Sequence, residues 1–366
     1  MHITLSRPDM LQAVQRCQNI VERRHTVPIL SNICLNTGDN ELVMTATDLE
    51  VGIRTQGAAT IHQPGHTTVV ARKLFDVLKE LDADADIDME LDDAFLNIKS
   101  GRSRFRLATM PADDFPDVQE DEESSSIHID GADLATMIAS TSFAMSNDET
   151  RKYLTGTLFE IDEQGCLNLA ATDGHRLALT RASLEQKVEA SQSIVPRKAV
   201  MEIRKLCEDV PGQVTLNMSD RQIRLTAETH MLTSKLIDAR FPSYADVIPA
   251  NNPEIAIVDR NSLDQILRRI MIVANEFTHD VRLQIKPGEL MVSSHNTDQE
   301  QAEESIELEY EGPEVEIGFN ARYIRDVLGV MHGGTVRISL KDGLSPVLLK
   351  EEEDSAASFV IMPMRI

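Results

Sequence analysis

The chain has 366 residues, with 60 Asp or Glu against 36 Lys or Arg and a formal net charge of -24 at neutral pH. Spread evenly, such a charge excludes attraction to nucleic acid or anionic membrane, because phosphate binding needs local positive potential, so its distribution decides more than its sum. No stretch approaches the roughly eighteen apolar residues of a membrane helix, and with 4% aromatic residues and no tryptophan there is no aromatic platform for stacking single strands.

The opening MHITLSRPDMLQAV lacks the charged-then-apolar order of a secretory signal, and a cytoplasmic location is expected. ITLSRPDMLQAVQRCQNIVERR predicts a short strand and then an amphipathic helix over 7–24, with Met10, Leu11, Val14, Cys17 and Val21 at helical spacing. ILSNICLNT, ELVMTATD and VGIRTQGAAT carry alternating or β-branched runs separated by turn residues such as GDN, and predict strands. TTVVARKLFDVLKELD switches from strand to helix over 72–82, and IDMELDDAFLNIKSGRSRFRLATM predicts further strands joined at DDA and SGR. Helix and strands thus occur twice by residue 110, and the same order predicts helices over 131–145, 197–208, 260–274 and 320–332.

The phrases themselves also return. MTATDLEVGIRT at 44–55 matches LAATDGHRLALT at 169–180, 125 positions on, and VARKLFDVLKEL at 70–81 matches VPRKAVMEIRKL at 195–206, with a looser third copy in FNARYIRDVLGVM at 319–331. A closing phrase follows in each: SRFRLATMPADDFPDV at 103–118, TSKLIDARFPSYADVI at 233–248 and AASFVIMPMRI at 356–366. A period of this length is too long for a solenoid turn and matches an independent domain. The chain is expected to be three α+β domains at 1–122, 127–249 and 253–366, joined by the acidic, serine-rich DVQEDEESSS at 117–126 and by PANNPE at 249–254. Cys17, Cys34, Cys166 and Cys207 show no C-x-x-C pairing and are expected to be reduced core thiols, with no metal site and no cofactor.

Charge is segregated between element types. The six predicted helices hold 16 Lys or Arg against 10 Asp or Glu, so the rest of the chain carries -30. Helices facing a polyanion would need that segregation, although amphipathic helices also carry surface cations by chance. No zinc-finger spacing or basic zipper is present, so any nucleic-acid contact should go to phosphates and be insensitive to sequence.

An enzyme is the competing class, in the form of a sheet-rich hydrolase with an unrecognised site. The chain has no G-x-x-x-x-G-K-[ST] phosphate loop, no G-x-G-x-x-G and no G-x-S-x-G elbow. HGGT at 332–335 is expected to be a helix stop before the strand TVRISL. DADADIDMELDD at 82–93 lacks the EF-hand glycine, and its later part alternates Ile87, Met89 and Leu91 with carboxylates as an exposed strand does. His175 beside Asp173 is read as two strand positions pointing to opposite faces, not as a catalytic dyad.

TVPIL at 26–30, SGRSRF at 100–105, ATDGHRLA at 171–178, VPRK at 195–198, RFPSY at 240–244 and VIMPMRI at 360–366, in order over the whole length, resemble the bacterial replicative sliding clamps, the beta subunits of DNA polymerase III. That resemblance implies a head-to-tail homodimer whose six domains form a ring, with helices lining the hole and antiparallel sheets outside. Twelve helices of about 10 Å diameter give a circumference near 120 Å and a lumen of roughly 25–30 Å, room for duplex DNA and a layer of water. Such a ring holds DNA by topology, slides on it, and tethers the replicative polymerase without catalysis of its own. The implied partners are duplex DNA, the polymerase III catalytic subunit, the clamp loader, and other polymerases and repair proteins bearing a short glutamine-and-apolar motif.

The resemblance also implies sites. DNA contact falls to Arg24, to the loop Arg151, Lys152 and Tyr153, and to Arg197 and Lys198; Arg24 also fits an ordinary cation at a helix C-terminus. A peptide cleft between the second and third domains is implied at Leu154, Thr172, Gly174, His175, Arg176, Leu177, Pro242, Val247, Val360, Met362, Pro363, Met364 and Arg365, where VIMPM equally fits a last core strand. Lys73, Leu74, Phe105 and Leu107 are implied to meet Ile272 and Val273 of another subunit, and the apolar ones also fit intradomain core. The chain departs from the best-known clamps at Asp246, where a basic residue is usual, and at Pro346, where serine is common; an aspartate at a groove rim would disfavour acidic ligands, and the run EEED at 351–354 could add to that effect.

Overall fold

A computed structural model describes residues 1–22, 26–118, 125–352 and 355–365. Among these, every α-helix begins at the residue after a strand. The strands His2–Ser6, His66–Val70, Ser125–Asp130, Ser191–Pro196, Glu254–Asp259 and Val315–Asn320 lead into α1 (Arg7–Ile20), α2 (Ala71–Glu80), α3 (Gly131–Ser142), α4 (Arg197–Asp209), α5 (Arg260–Ile270) and α6 (Ala321–Val330). The last strand residue commonly caps the helix it precedes. Asp9, Ala132, Ser262 and Arg322 donate their amides to the side chains of Ser6, Asp130, Asp259 and Asn320. Each cap satisfies an amide the first helical turn leaves without an intrahelical partner.

Three strands follow each helix, and after α1 a short fourth, Thr60–Gln63, pairs along the outer side of His2–Ser6. The strand that enters a helix does not pair with the three that leave it; it exchanges with the other half of its repeat. His2–Ser6 pairs antiparallel with Asp86–Asp92, which follows α2, while His66–Val70 pairs with Asn32–Thr37, which follows α1. The same exchange joins Ser125–Asp130 to Gln213–Met218 and Gly156–Ile161 to Ser191–Pro196 in the second repeat. In the third it joins Glu254–Asp259 to Thr335–Leu340 and Asp280–Lys286 to Val315–Asn320. The molecule is therefore three tandem α+β repeats of one pattern.

The third strand after each helix lies at the edge of its four-stranded group. Val51–Ala58 pairs with His230–Lys235, and Arg176–Ser183 pairs with Ala357–Ile361, so four of the six third strands are joined within the chain. Among the described residues, Ser103–Met110 meets a neighbour on its outer side only through Thr109 and Met110, and Gln301–Glu307 pairs on one side only.

The chain divides into two compact units, 1–132 with 201–236 and 133–200 with 237–366. The first holds a thirteen-stranded sheet; the second holds sheets of eight and four strands. Buried faces follow helical spacing: α1 buries Met10, Ala13, Val14, Arg16, Cys17 and Ile20, and α5 buries Leu263, Ile266, Leu267 and Ile270. No helix among the described residues is long and apolar enough to cross a membrane.

Some expectations need correction. The first helix stops at Ile20, because Val21 is extended, and Val21 with Leu11 is only half-buried. Ile29–Ser31 belongs to a 3-10 turn over Pro28–Ser31, where Pro28 favours a turn start, and the strand begins at Asn32. Cys34 is half-buried, whereas Cys17, Cys166 and Cys207 lie in the core and all four are free thiols. Burial pushes the Cys17 and Cys207 thiols up to about 12, which keeps them protonated and unreactive. Asp86–Asp92 is paired on both sides, with Ile87 and Met89 buried and its carboxylates on the open face.

Candidate functional site

An apolar cavity of about 290 Å³ lies in the second unit. Four separated segments build it. Its apolar walls are Leu154, Leu177, Pro242, Val247, Val360 and Met362, and its polar edge is Arg151, Tyr153, Thr172, Gly174, Arg176, Ser243 and Tyr244. Beneath it Leu158, Ala170, Leu177, Ile194, Phe241 and Val360 form a buried cluster, so the floor is continuous with the core.

One wall is set by the turn between Cys166–Thr172 and Arg176–Ser183. Asp173 Oδ1 accepts the amides of His175 and Arg176 at 2.9 and 3.1 Å, and Thr172 Oγ1 donates to the Arg176 carbonyl at 2.6 Å. Gly174 has φ +90°, a conformation that favours glycine, and a Cβ there would lie 3.2 Å from the Arg151 guanidinium, which would have to shift slightly. Asp173 and His175 do avoid forming a dyad, but not because they lie on opposite faces of a strand. They share a turn whose amides occupy the carboxylate.

Arg176 has a side chain only 10% exposed and is fully engaged. Its guanidinium bonds Asp173 at 3.0 Å, Asp326 at 2.5 Å and the Phe143 carbonyl at 2.8 Å, and it stacks 4.6 Å from the Tyr323 ring centroid. It therefore ties the cavity turn to α6 and to the end of α3. The adjoining wall comes from Ala357–Ile361, where Leu177 pairs with Val360 in register, and the Met362 amide donates to the His175 carbonyl at 2.9 Å. Tyr244 donates to the Glu160 carboxylate, and burial first, then that carboxylate, raises its hydroxyl well above the ordinary tyrosine value.

Of the residues expected to form a peptide cleft, nine line this cavity: Leu154, Thr172, Gly174, Arg176, Leu177, Pro242, Val247, Val360 and Met362. His175 is exposed outside it and stacks on Tyr323, while Met364 bridges to Gly318; Pro363 is half-buried and Arg365 exposed. Ser243 and Tyr244 were missed, although RFPSY was among the phrases of resemblance. Their signal was position inside that phrase.

Residues expected to touch DNA are placed variously. Arg24 lies outside the described residues. Arg151 and Tyr153 line the cavity, with Arg151 held 2.9 Å from Asp148, whose carboxyl stays below its ordinary range chiefly through hydrogen bonds from Thr150, with Arg151 adding to the effect. Lys152 is exposed and Lys198 half-buried. Arg197 donates to the carbonyls of Met145 and Ser146 at 3.1 and 3.0 Å, so its charge steadies the chain after α3. Much of the helical positive charge is likewise matched locally: Arg72 by Asp76, Arg204 by Glu208, Lys205 by Glu202, Arg268 and Arg325 by Asp264, and Arg269 by Glu304.

Among residues expected at a subunit contact, Ile272 is 82% exposed on the turn after α5, and Val273, Phe105 and Leu107 are half-buried. Lys73 is exposed. Leu74 is wholly buried and packs the core of its own unit.

Family models match the chain in three parts: the DNA polymerase III beta subunit N-terminal domain at residues 1–119, its central domain at 128–243 and its C-terminal domain at 245–365. The chain is 42% identical to the beta sliding clamp of Pseudomonas putida and 38% identical to that of Caulobacter vibrioides, in each case over all of both chains. The crystal structure of the DNA polymerase sliding clamp from Pseudomonas aeruginosa is 39% identical, with a TM-score of 0.96 and full coverage of both chains. That of the Caulobacter crescentus pol III beta is 39% identical, with a TM-score of 0.93 and full coverage.

Proposed function

The chain belongs to the DNA polymerase III beta subunit family, the beta sliding clamps, and from that membership we propose that two copies close head to tail into a six-domain ring around duplex DNA. It is a DNA replication processivity factor and not an enzyme.

The observation that carries the ring is the pair of third strands left over when the other four are joined. Ser103–Met110 and Gln301–Glu307 stand in the same place in the repeat as the strands that meet at the internal seams, so a second copy supplies the missing partner by the same antiparallel pairing. Their side chains match on both faces. Arg104 and Arg106 on one strand, and Glu303 and Glu307 on the other, occupy the exposed faces. Phe105 and Leu107, and Ala302 and Ile306, occupy the half-buried faces, and Ile272 adds an exposed apolar group. With Leu74 buried, we assign the contact to Lys73, Phe105, Leu107, Ile272 and Val273.

In this assembly the domains span 1–122, 127–249 and 253–366. From the family resemblance we assign contact with the duplex phosphates to Arg24, the Arg151–Tyr153 loop and Lys198, with Arg197 steadying the chain at Met145 and Ser146. Contact is insensitive to sequence, weak and salt-dependent, and retention comes from closure. The cavity, with an apolar floor and a fixed polar edge, suits a short extended peptide. The expected occupants are motifs from the polymerase III catalytic subunit, the clamp loader, and other polymerases and repair proteins, all in the cytoplasm.

The test is primer extension on primed circular single-stranded DNA with the polymerase and clamp loader of the same organism. Adding the protein should lengthen products made per binding event by at least tenfold; products of unchanged length would contradict the reading.

A further inference from the structure

The cations of the cavity are already matched. Arg151 is held by Asp148, and Arg176 by Asp173 and Asp326, so an incoming carboxylate gains little from either. Across the opening the chain turns at Tyr244–Val247, closed by the Val247 amide donating to the Tyr244 carbonyl at 3.1 Å. Both ends of this turn line the cavity, and its tip, Ala245 and Asp246, is exposed. Asp246 makes no ion pair or side-chain hydrogen bond among the described residues, so it is a carboxylate on the rim with its charge unspent.

We propose that Asp246 determines partner specificity: the peptide held in this cavity places a lysine or arginine against the Tyr244–Val247 turn, and peptides with acidic residues there are disfavoured. The inference rests on reading the cavity as a peptide cleft. Position matters more than total charge, because the exposed Lys152 lies between the lining residues Arg151 and Tyr153, and the exposed Arg240 lies two residues before Pro242. An aspartate at the tip of a short turn whose ends are anchored in the cavity wall is held in place, so its field falls on one part of the ligand. At the surface such a pairing changes affinity by about threefold to fivefold, and it fades as salt shortens the Debye length to about 3 Å near 1 M.

The test uses the intact protein and three fluorescein-labelled peptides with a common glutamine-leucine-phenylalanine core, flanked by lysines, glutamates or serines, titrated by anisotropy at low and high salt. The wild type should prefer the lysine-flanked to the glutamate-flanked peptide. In Asp246→Arg that ratio should fall by about fivefold or invert, in Asp246→Asn it should fall by less, and the serine-flanked affinity should stay nearly constant in both. Lys152 and Arg240 are unchanged in each variant, so a ratio equal in all three proteins overturns the role of Asp246 while leaving the peptide cleft standing. If no peptide binds any of the proteins, the cleft reading fails and the inference with it.

Discussion

The seam between Val51–Ala58 and His230–Lys235 and the open strands Ser103–Met110 and Gln301–Glu307 are built from the same element of the repeat, yet they differ in what they carry. The seam strands, VGIRTQGA and HMLTSK, hold few charges and bury Val51, Ile53, Leu232, Thr233 and Ser234. The open strands, SRFRLATM and QAEESIE, are charged along the exposed face, one basic and the other acidic. An unpaired strand edge is a template for indiscriminate association, and charge is one common defence. Opposite charges on the two edges make that defence selective: each edge repels its own kind and accepts the other, which favours head-to-tail closure over random stacking.

If the seam is core and the open edges are an interface, they should break differently. Leu232→Ala, at a wholly buried seam position, should lower unfolding free energy by about 2–5 kcal/mol while leaving the mass of the folded particle unchanged, as denaturant titration and sedimentation would report. Ile272→Asp should do the reverse, weakening the dimer on the order of thirtyfold by sedimentation with little change in the melting temperature of the monomer. Arg104→Glu should weaken association by roughly fivefold at low salt and less at high salt, and mixing it with a Glu303→Arg chain should restore much of the loss.

The smallest effect is a pH dependence of the seam. His230 Nδ1 and Thr55 Oγ1 are 2.8 Å apart across the seam, while His230 Nε2 lies 2.9 Å from Arg16 Nη1. Burial first, then the Arg16 charge, lowers the His230 pKa below its ordinary value of 6.5, against weaker opposing fields from Glu228 and Asp209. The neutral ring is therefore favoured in the folded state, and the unfolded chain takes up the proton more readily. Stability from this site is complete above about pH 6.5 and is lost as pH falls from there toward the folded pKa. His230→Gln should flatten that part of the melting-temperature profile; an unchanged profile would remove His230 as its source.

The sequence made the repeated elements legible because a helix face and a strand face leave periods of 3.6 and 2, and because the phrases recur at one spacing. Strand partners left no such mark. A period-2 run specifies which side chains face inward and not which strand lies beside it, so the exchange of entering strands between the halves of each repeat emerged only in three dimensions. The buried Arg16 could have been found, since it lies on the same helical face as Ala13, Cys17 and Ile20, where a charge demands a partner. The cavity is a harder case. Its walls come from residues around 151–154, 172–177, 242–247 and 360–362, and only resemblance linked them. Resemblance alone also set Arg151 and Tyr153 apart from the cleft they help to line and offered Leu74, a core residue, as a contact.

The ring is tested most directly by the native mass of the purified protein together with single-particle images. The expected result is a particle near twice the 40.8 kDa chain mass, six-sectored with an open centre. A monomer, or a filled globule, at micromolar concentration would contradict it, since a chain that does not close has no topological hold on DNA.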